Sequence, residues 1–216
     1  MILLNKKKKI ILDGLLFSII LLFYFTNWIQ FPFKLPLCAL LIIAVTFLKS
    51  KNLHELGFLH KVSLWKTILW ASLIVFMATV AILLWTPFLE GLFGKPDYSA
   101  YGVLKGNKKL VLQLWFYGMI SAAFAEEVLF RGYFCSLLVF YIGTSQLSKA
   151  ITIVTGALLF TLAHYSQGIS GLINIFIISL VFYIVFIRSG RNIYATILAH
   201  AIVDTVGLYQ IYLGDY

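Results

Sequence analysis

Six ionisable residues in the second half of the chain stand inside otherwise apolar stretches: Glu126, Glu127, Arg131, His164, His200 and Asp204. Ionisable groups within a membrane span are costly and mark functional sites by default. Glu127 and Arg131 are four residues apart, as are Phe160 and His164, and His200 and Asp204. On a helix such pairs share a face. Glu126 and Glu127 are neighbours and point about 100° apart. One carboxylate can therefore be tied to Arg131 while the other meets a different environment, and two carboxylates so placed can take different roles. That makes Glu127 and Arg131 an internal ion pair and leaves Glu126 as the candidate general base. Glu126, His164, His200 and Asp204 come from three separate segments. Brought together, they would make a polar pocket below the membrane surface. Such a pocket can hold a water, deprotonate it and steady a developing oxyanion.

Other uses of these residues stay open at this level. A buried Glu–Arg pair and two bridging histidines can be polar glue between helices. Chains of Glu and His also carry protons or ions, although no inverted repeat is visible. Glu126, His164 and His200 would make a familiar zinc set, with a fourth position open for water. The soluble zincin motif His-Glu-x-x-His is absent.

The elements that must position these residues follow from composition. The chain has 216 residues, 62% hydrophobic and 12% charged, with mean hydropathy +0.97. A soluble domain is about 45–50% apolar and about 25% charged, so most of this chain is solvated by lipid. A spanning helix needs about 20 apolar residues. Spans are expected at 10–30, 35–48, 67–89, 110–142, 150–165, 169–187 and 192–213. The expected fold is all-α: a polytopic transmembrane bundle of about seven spans, with the site between spans four, five and seven. Pro32 and Pro36 frame the start of the short second span, which is expected to be tilted or re-entrant. The fourth would be about 48 Å long as one straight helix, so it is expected to break or to project. Residues 1–109 form transmembrane segments without a matched motif, and 110–216 the catalytic core, within one integral membrane domain.

The net charge of +9 does not point to nucleic acid, because the basic residues sit in the breaks between apolar runs. With the N-terminus inside, segments 1–9, 49–66, 143–149 and 188–191 hold eleven basic residues. The outer segments hold five: Lys34, Lys95, Lys105, Lys108 and Lys109. The bias predicts an N-terminus in the cytoplasm and a C-terminus outside, in what reads as a bacterial cell membrane. Lys6–Lys9 reads as a cytoplasmic anchor. A cleaved leader fits less well, because the apolar run Ile10–Ile29 exceeds the roughly 7–15 residues of a signal core. Asp13, near the first interface, is expected to be solvated. Cys38 and Cys135 lie in apolar runs without a C-x-x-C and read as small buried hydrophobes.

At the polar residues the sequence resembles the CAAX-protease and bacteriocin-processing family, also called Abi. Glu126-Glu127-Val128-Leu129-Phe130-Arg131 looks like its E-E-x-x-x-R motif, and Phe160-Thr161-Leu162-Ala163-His164 like its F-x-x-x-H motif. His200-Ala201-Ile202-Val203-Asp204 looks like its third motif, a His followed four residues on by Asn or a substitute. The resemblance covers about residues 115–210. It implies an all-helical intramembrane endopeptidase acting on a membrane-embedded or lipid-anchored protein or peptide. In it Glu126 and His164 would activate water, His200 and residue 204 would stabilise the oxyanion, and Glu127 and Arg131 would be structural. Family members are often labelled metalloproteases, and a metal-free glutamate mechanism is also argued, so a divalent metal such as zinc is left open. Asp204 departs from the pattern: an ionised Asp cannot donate to an oxyanion as Asn does. It must be protonated, act through His200, or help hold a cation. Relatives also occur as bacteriocin immunity proteins, so the alternative function is binding without catalysis. The retained set Glu126, Glu127, Arg131, His164 and His200 favours activity.

Overall fold

The apolar stretches fold into helices, and polar residues in the breaks between them start four of these. The structure, a computed structural model, describes residues 6–26, 28–59 and 61–215. The side chains of residues 6–10, 21 and 25 lie outside the described residues, so the Lys6–Lys9 run has only its backbone position in the first helix. In chain order the helices are α1 (Lys6–Phe25), α2 (Lys34–Ser50), α3 (Leu64–Phe93), α4 (Lys108–Gly118), a π-helix (Met119–Phe134), α5 (Cys135–Ile142), α6 (Gln146–Leu162), α7 (Gly168–Arg188) and α8 (Ile193–Leu213). Short 3₁₀ turns lie at His54–Leu56, Ser99–Leu104 and Tyr165–Gln167, and the described residues contain no strand. Ser63, Asn107, Ser145 and Asn192 cap the starts of α3, α4, α6 and α8, each side chain accepting from a backbone N–H three residues on. Each cap satisfies one of the amide groups that a helix start leaves free.

Leu64–Phe93, Tyr165–Arg188 and Ile193–Leu213 are long and apolar enough to cross a membrane, and Ile11–Tyr24 and Gln146–Leu162 are shorter apolar helices. Leu64, Trp65, Leu83, Leu84, Phe88, Leu147 and Leu162 all face outward. An apolar exterior of this extent has lipid as its solvent. The interior, by contrast, gathers polar groups: Asp13, Glu127, Arg131, Ser179, Thr196 and His200 are all buried. The chain is an integral membrane protein with its polar residues turned inward.

The run expected at 110–142 is helical without interruption but not uniform. Its middle widens into the π-helix, where hydrogen bonds close larger rings, as from the Cys135 N–H back to the Phe130 carbonyl. Small residues let neighbours reach this helix. A Cβ on Gly132 would stand 3.1 Å from the Leu56 carbonyl, so the turn between α2 and α3 rests directly on it. Tyr183 on α7 donates its hydroxyl to the Phe130 carbonyl at 2.8 Å. That tyrosine lies against Gly156 of α6, where a Cβ would meet its ring at 2.3 Å. The contact brings α6, α7 and the π-helix together on one carbonyl.

Two expectations are corrected. The span expected at 150–165 is helix only from Gln146 to Leu162, so His164 falls in the turn that follows. The ring of His164 faces the Phe160 carbonyl, which also accepts from the Ala163 N–H at 3.2 Å. Asp13 is not solvated. It is 3% exposed and ion-paired with Lys49 of α2, while its backbone carbonyl accepts from the Tyr133 hydroxyl at 3.1 Å. Lys49 is thus an internal counter-charge as well as a residue near a helix end. Cys38 and Cys135 are buried and unpaired.

The loops divide between two ends. At one, the backbone N–H of Asp97 donates to the Gln167 carbonyl at 3.0 Å and that of Gly106 to the Tyr212 carbonyl at 2.9 Å. The α3–α4 segment, the α6–α7 turn and the end of α8 therefore meet. At the other, the Glu55 carbonyl accepts from Ser136 and from Arg191. The α2–α3 segment, α5 and the α7–α8 turn meet there.

Candidate active site

The π-helix carries Glu126, Glu127 and Arg131, α8 carries His200 and Asp204, and the turn after α6 carries His164. Glu127 is wholly buried and its Oε1 is shared. Arg131 Nη1 donates to it at 2.9 Å, and His200 Nδ1 lies 2.8 Å away. Because that partner is a carboxylate, Nδ1 is the nitrogen that carries the hydrogen. The guanidinium is held further by Ser179, which accepts from Nη2 at 3.1 Å, and by the Phe160 ring 4.2 Å beneath its carbon. Such stacking favours a desolvated cation.

His200 Nε2 points the other way. It lies 3.5 Å from Asp204 Oδ1 and 3.9 Å from Glu126 Oε2. Glu127, paired with Arg131 four residues on, also meets a histidine 73 residues away, a contact that i,i+4 geometry cannot supply. His164 joins the group by stacking on Phe160, centroids 4.8 Å apart, and Phe160 also meets the His200 ring edge-on at 6.2 Å. Its Nδ1 is 2.9 Å from the Phe160 carbonyl. A carbonyl only accepts, so the hydrogen is on Nδ1 and Nε2 offers a lone pair.

Glu126, Arg131, His164, His200 and Asp204 line one cavity of about 420 Å³. The rest of its wall is largely apolar, with Leu114, Ile175, Ile178 and Phe182 among the contributors. Concave, mostly apolar space with a few convergent polar groups is the usual form of a binding site. Sequence spacing does not identify Ser179, Phe182, Tyr98, Tyr101 or Gln167 as neighbours of the polar set. For Ser179 there is a signal, a hydroxyl in the middle of an apolar helix. Tyr98 and Tyr101 sit in the segment between spans and give none.

That segment forms part of the rim. Hydrogen bonds from Ser99 hold the exposed Asp97 carboxyl below the usual carboxylate range. Burial pushes the Tyr98 and Tyr101 phenols up, and for Tyr101 the carboxylates of Asp204 and Glu126 add to the effect. Both tyrosines therefore keep their protons at neutral pH, and both line the pocket.

The donor chemistry bears on a metal. Among the described residues, no three His, Cys, Asp or Glu side chains gather as a set that could hold a metal ion. Glu126, His164 and His200 line one cavity without being gathered into a zinc set.

An integral membrane protein with buried carboxylates and imidazoles converging on a cavity belongs to a narrow class. Residues 108–206 match the model of the Rce1-like type II CAAX prenyl endopeptidases, and over that stretch the chain is similar to that family. The match covers the π-helix, α6 and the part of α8 that bears Asp204, and it supports CAAX-type protease activity. No curated protein and no solved structure matches the chain.

Proposed function

We propose that the chain is an intramembrane endopeptidase that hydrolyses a peptide bond of a membrane-associated protein or peptide with water activated by Glu126. One observation supports this most: Glu127 is occupied by Arg131 and His200, while Glu126 lines the cavity with its carboxylate toward His200 Nε2. A water bound in the cavity would be shared by Glu126 and the Nε2 lone pair of His164, both of which line it. As the water oxygen bonds to the scissile carbonyl carbon, Glu126 takes its proton and the carbonyl π electrons move to oxygen. His200, with hydrogens on both nitrogens, donates from Nε2 to that oxyanion. Glu127 and Asp204 on its two sides are the counter-charges such an imidazolium needs. The C–N bond then breaks, and the proton on Glu126 passes to the leaving amine. The oxyanion electrons re-form the carbonyl as that bond breaks, so a carboxylic acid and an amine result, and the acid's proton then passes to the amine. Donors aimed at the developing charge are the strongest single source of rate in such a site.

The proposed topology counts α4, the π-helix and α5 as one crossing, which makes seven, with the N-terminus cytoplasmic. The catalytic core is 110–216. The family match favours a membrane-associated, prenylated protein as substrate. The test is to compare the peptides of membranes bearing the wild type with those bearing Glu126→Gln at equal abundance. Fragments present only with the wild type are expected. Identical peptide sets alongside an unchanged phenotype would instead assign the chain to binding without catalysis, the mode of an immunity protein. Zinc dependence is tested separately: chelator-sensitive activity restored by zinc would require a ligand set rearranged from the one described.

A further inference from the structure

In the proposed hydrolysis the oxyanion has one donor, His200 Nε2. An ionised Asp204 beside it adds none, because a carboxylate only accepts, whereas an asparagine there would donate from its amide. Arg131 also lines the cavity, but its Nη1 and Nη2 already donate to Glu127 and Ser179. The Nδ1 hydrogen of His164 is directed at the Phe160 carbonyl. An oxyanion is stabilised most where more than one donor is aimed at it.

The segment between α3 and α4 brings a further donor to the cavity. Its backbone is fixed at both ends, by the Asp97 N–H on the Gln167 carbonyl at 3.0 Å and the Gly106 N–H on the Tyr212 carbonyl at 2.9 Å. Between these ties the 3₁₀ turn Ser99–Leu104 packs on α8, with Leu104 buried. The Tyr101 N–H closes the turn on the Tyr98 carbonyl at 2.9 Å, and the two rings lie with centroids 6.4 Å apart. Tyr101 is half-buried and lines the cavity together with Glu126, His200 and Asp204. The charges of Asp204 and Glu126 act on its phenol, whereas the Tyr98 phenol is acted on by Tyr101 and Glu90. A neutral hydroxyl among carboxylates serves as a donor.

We propose that the Tyr101 hydroxyl is the second donor to the oxyanion, in the role that an asparagine at 204 would fill, which makes Tyr101 a catalytic residue. This rests on the endopeptidase reading above. As the water oxygen bonds to the scissile carbonyl carbon, the carbonyl oxygen accepts from His200 Nε2 and from the Tyr101 hydroxyl. Tyr101 keeps its proton throughout, and its hydrogen bond weakens as the carbonyl re-forms. Asp204 remains the counter-charge of His200.

Tyr101→Phe keeps the ring and its contact with Tyr98 and removes only the hydroxyl, so thermal unfolding in detergent should match wild type. Cleavage by the full-length protein is followed on an internally quenched, farnesylated C-a-a-X peptide. Where wild type leaves that whole, a peptide copied from a Glu126-dependent membrane fragment replaces it. Loss of one oxyanion donor lowers kcat by about 100-fold or more, and Tyr101→Phe is expected to do so with KM unchanged. The same change made in the Asp204→Asn protein is expected to cost about tenfold less, because the new amide donates in its place, a coupling typical of groups in one network. Near-wild-type kcat, an effect on KM alone, or equal losses in the two backgrounds overturns the proposal. Should Tyr101→Phe unfold early, the comparison of backgrounds still decides, since damage to the fold weighs equally in both. Glu126-dependent cleavage that Tyr101→Phe leaves intact removes Tyr101 alone. Absence of any Glu126-dependent cleavage removes the endopeptidase reading and the role of Tyr101 with it.

Discussion

Glu126 and Glu127 are adjacent in sequence and opposite in circumstance. Glu127 accepts from a guanidinium and an imidazole, whereas Glu126 lines the cavity. Glu126→Gln keeps size and hydrogen bonding and removes the base. Cleavage should fall by at least about 100-fold, the lower range for a general base, with melting temperature unchanged. Near-normal turnover would end the general-base proposal. Arg131→Ala acts on the fold instead. It strands part of the charge on Glu127 and frees Ser179 and Phe160, and breaking a buried pair costs on the order of 3–5 kcal/mol. Thermal unfolding in detergent should shift well below wild type, and an unshifted transition would mean that His200 alone suffices for Glu127. Asp204→Asn separates the roles of that residue. If Asp204 supports His200 as imidazolium, the variant should work over a lower pH range, because a counter-charge at 3.5 Å from Nε2 is lost. If Asp204 instead donates as a protonated acid, Asn should preserve activity. Zinc rescue of the variant would point to a metal. Spacing makes the Glu127–Arg131 pair legible, because i,i+4 contacts are local. It cannot reveal that Glu127 also holds His200, since that contact depends on how α8 packs.

The helices were readable from apolar length. The widening of Met119–Phe134 into a π-helix was not, because no residue type enforces it and its backbone is supported from outside by Tyr183. Nor was the early end of α6, where the backbone tightens into three-residue turns, the Ala163 N–H donating to the Phe160 carbonyl and the His164 N–H to the Thr161 carbonyl. The packing of α6, α7 and the π-helix leads to a prediction at Gly156. Alanine there would place a Cβ 2.3 Å from the ring of Tyr183, which is fully buried. Overpacking of this kind costs about 1–3 kcal/mol. Displacing Tyr183 also loosens the Phe130 carbonyl, three residues from Glu127. Gly156→Ala should therefore lower both thermal stability and activity, and adding Tyr183→Leu should recover part of the stability. A purely additive double variant would mean that the two residues do not press on one another.

Taken whole, the molecule closes one end with the Glu55, Ser136 and Arg191 contacts and hollows out the other. The Asp13–Lys49 pair has a consequence for how such a chain enters the bilayer. An unpaired carboxylate or ammonium at the centre of a helix costs about 2.5–3.5 kcal/mol on insertion scales, and somewhat less toward an end. Asp13 on α1 and Lys49 on α2 are partners across 36 residues, so α1 carries an uncompensated charge until α2 arrives. The first two helices should therefore partition into lipid as a hairpin rather than one after the other. Nascent chains halted before Lys49 should remain extractable by alkali, while chains halted beyond it, with α2 clear of the ribosome, should resist extraction. Asp13→Leu should let the shorter chains integrate alone.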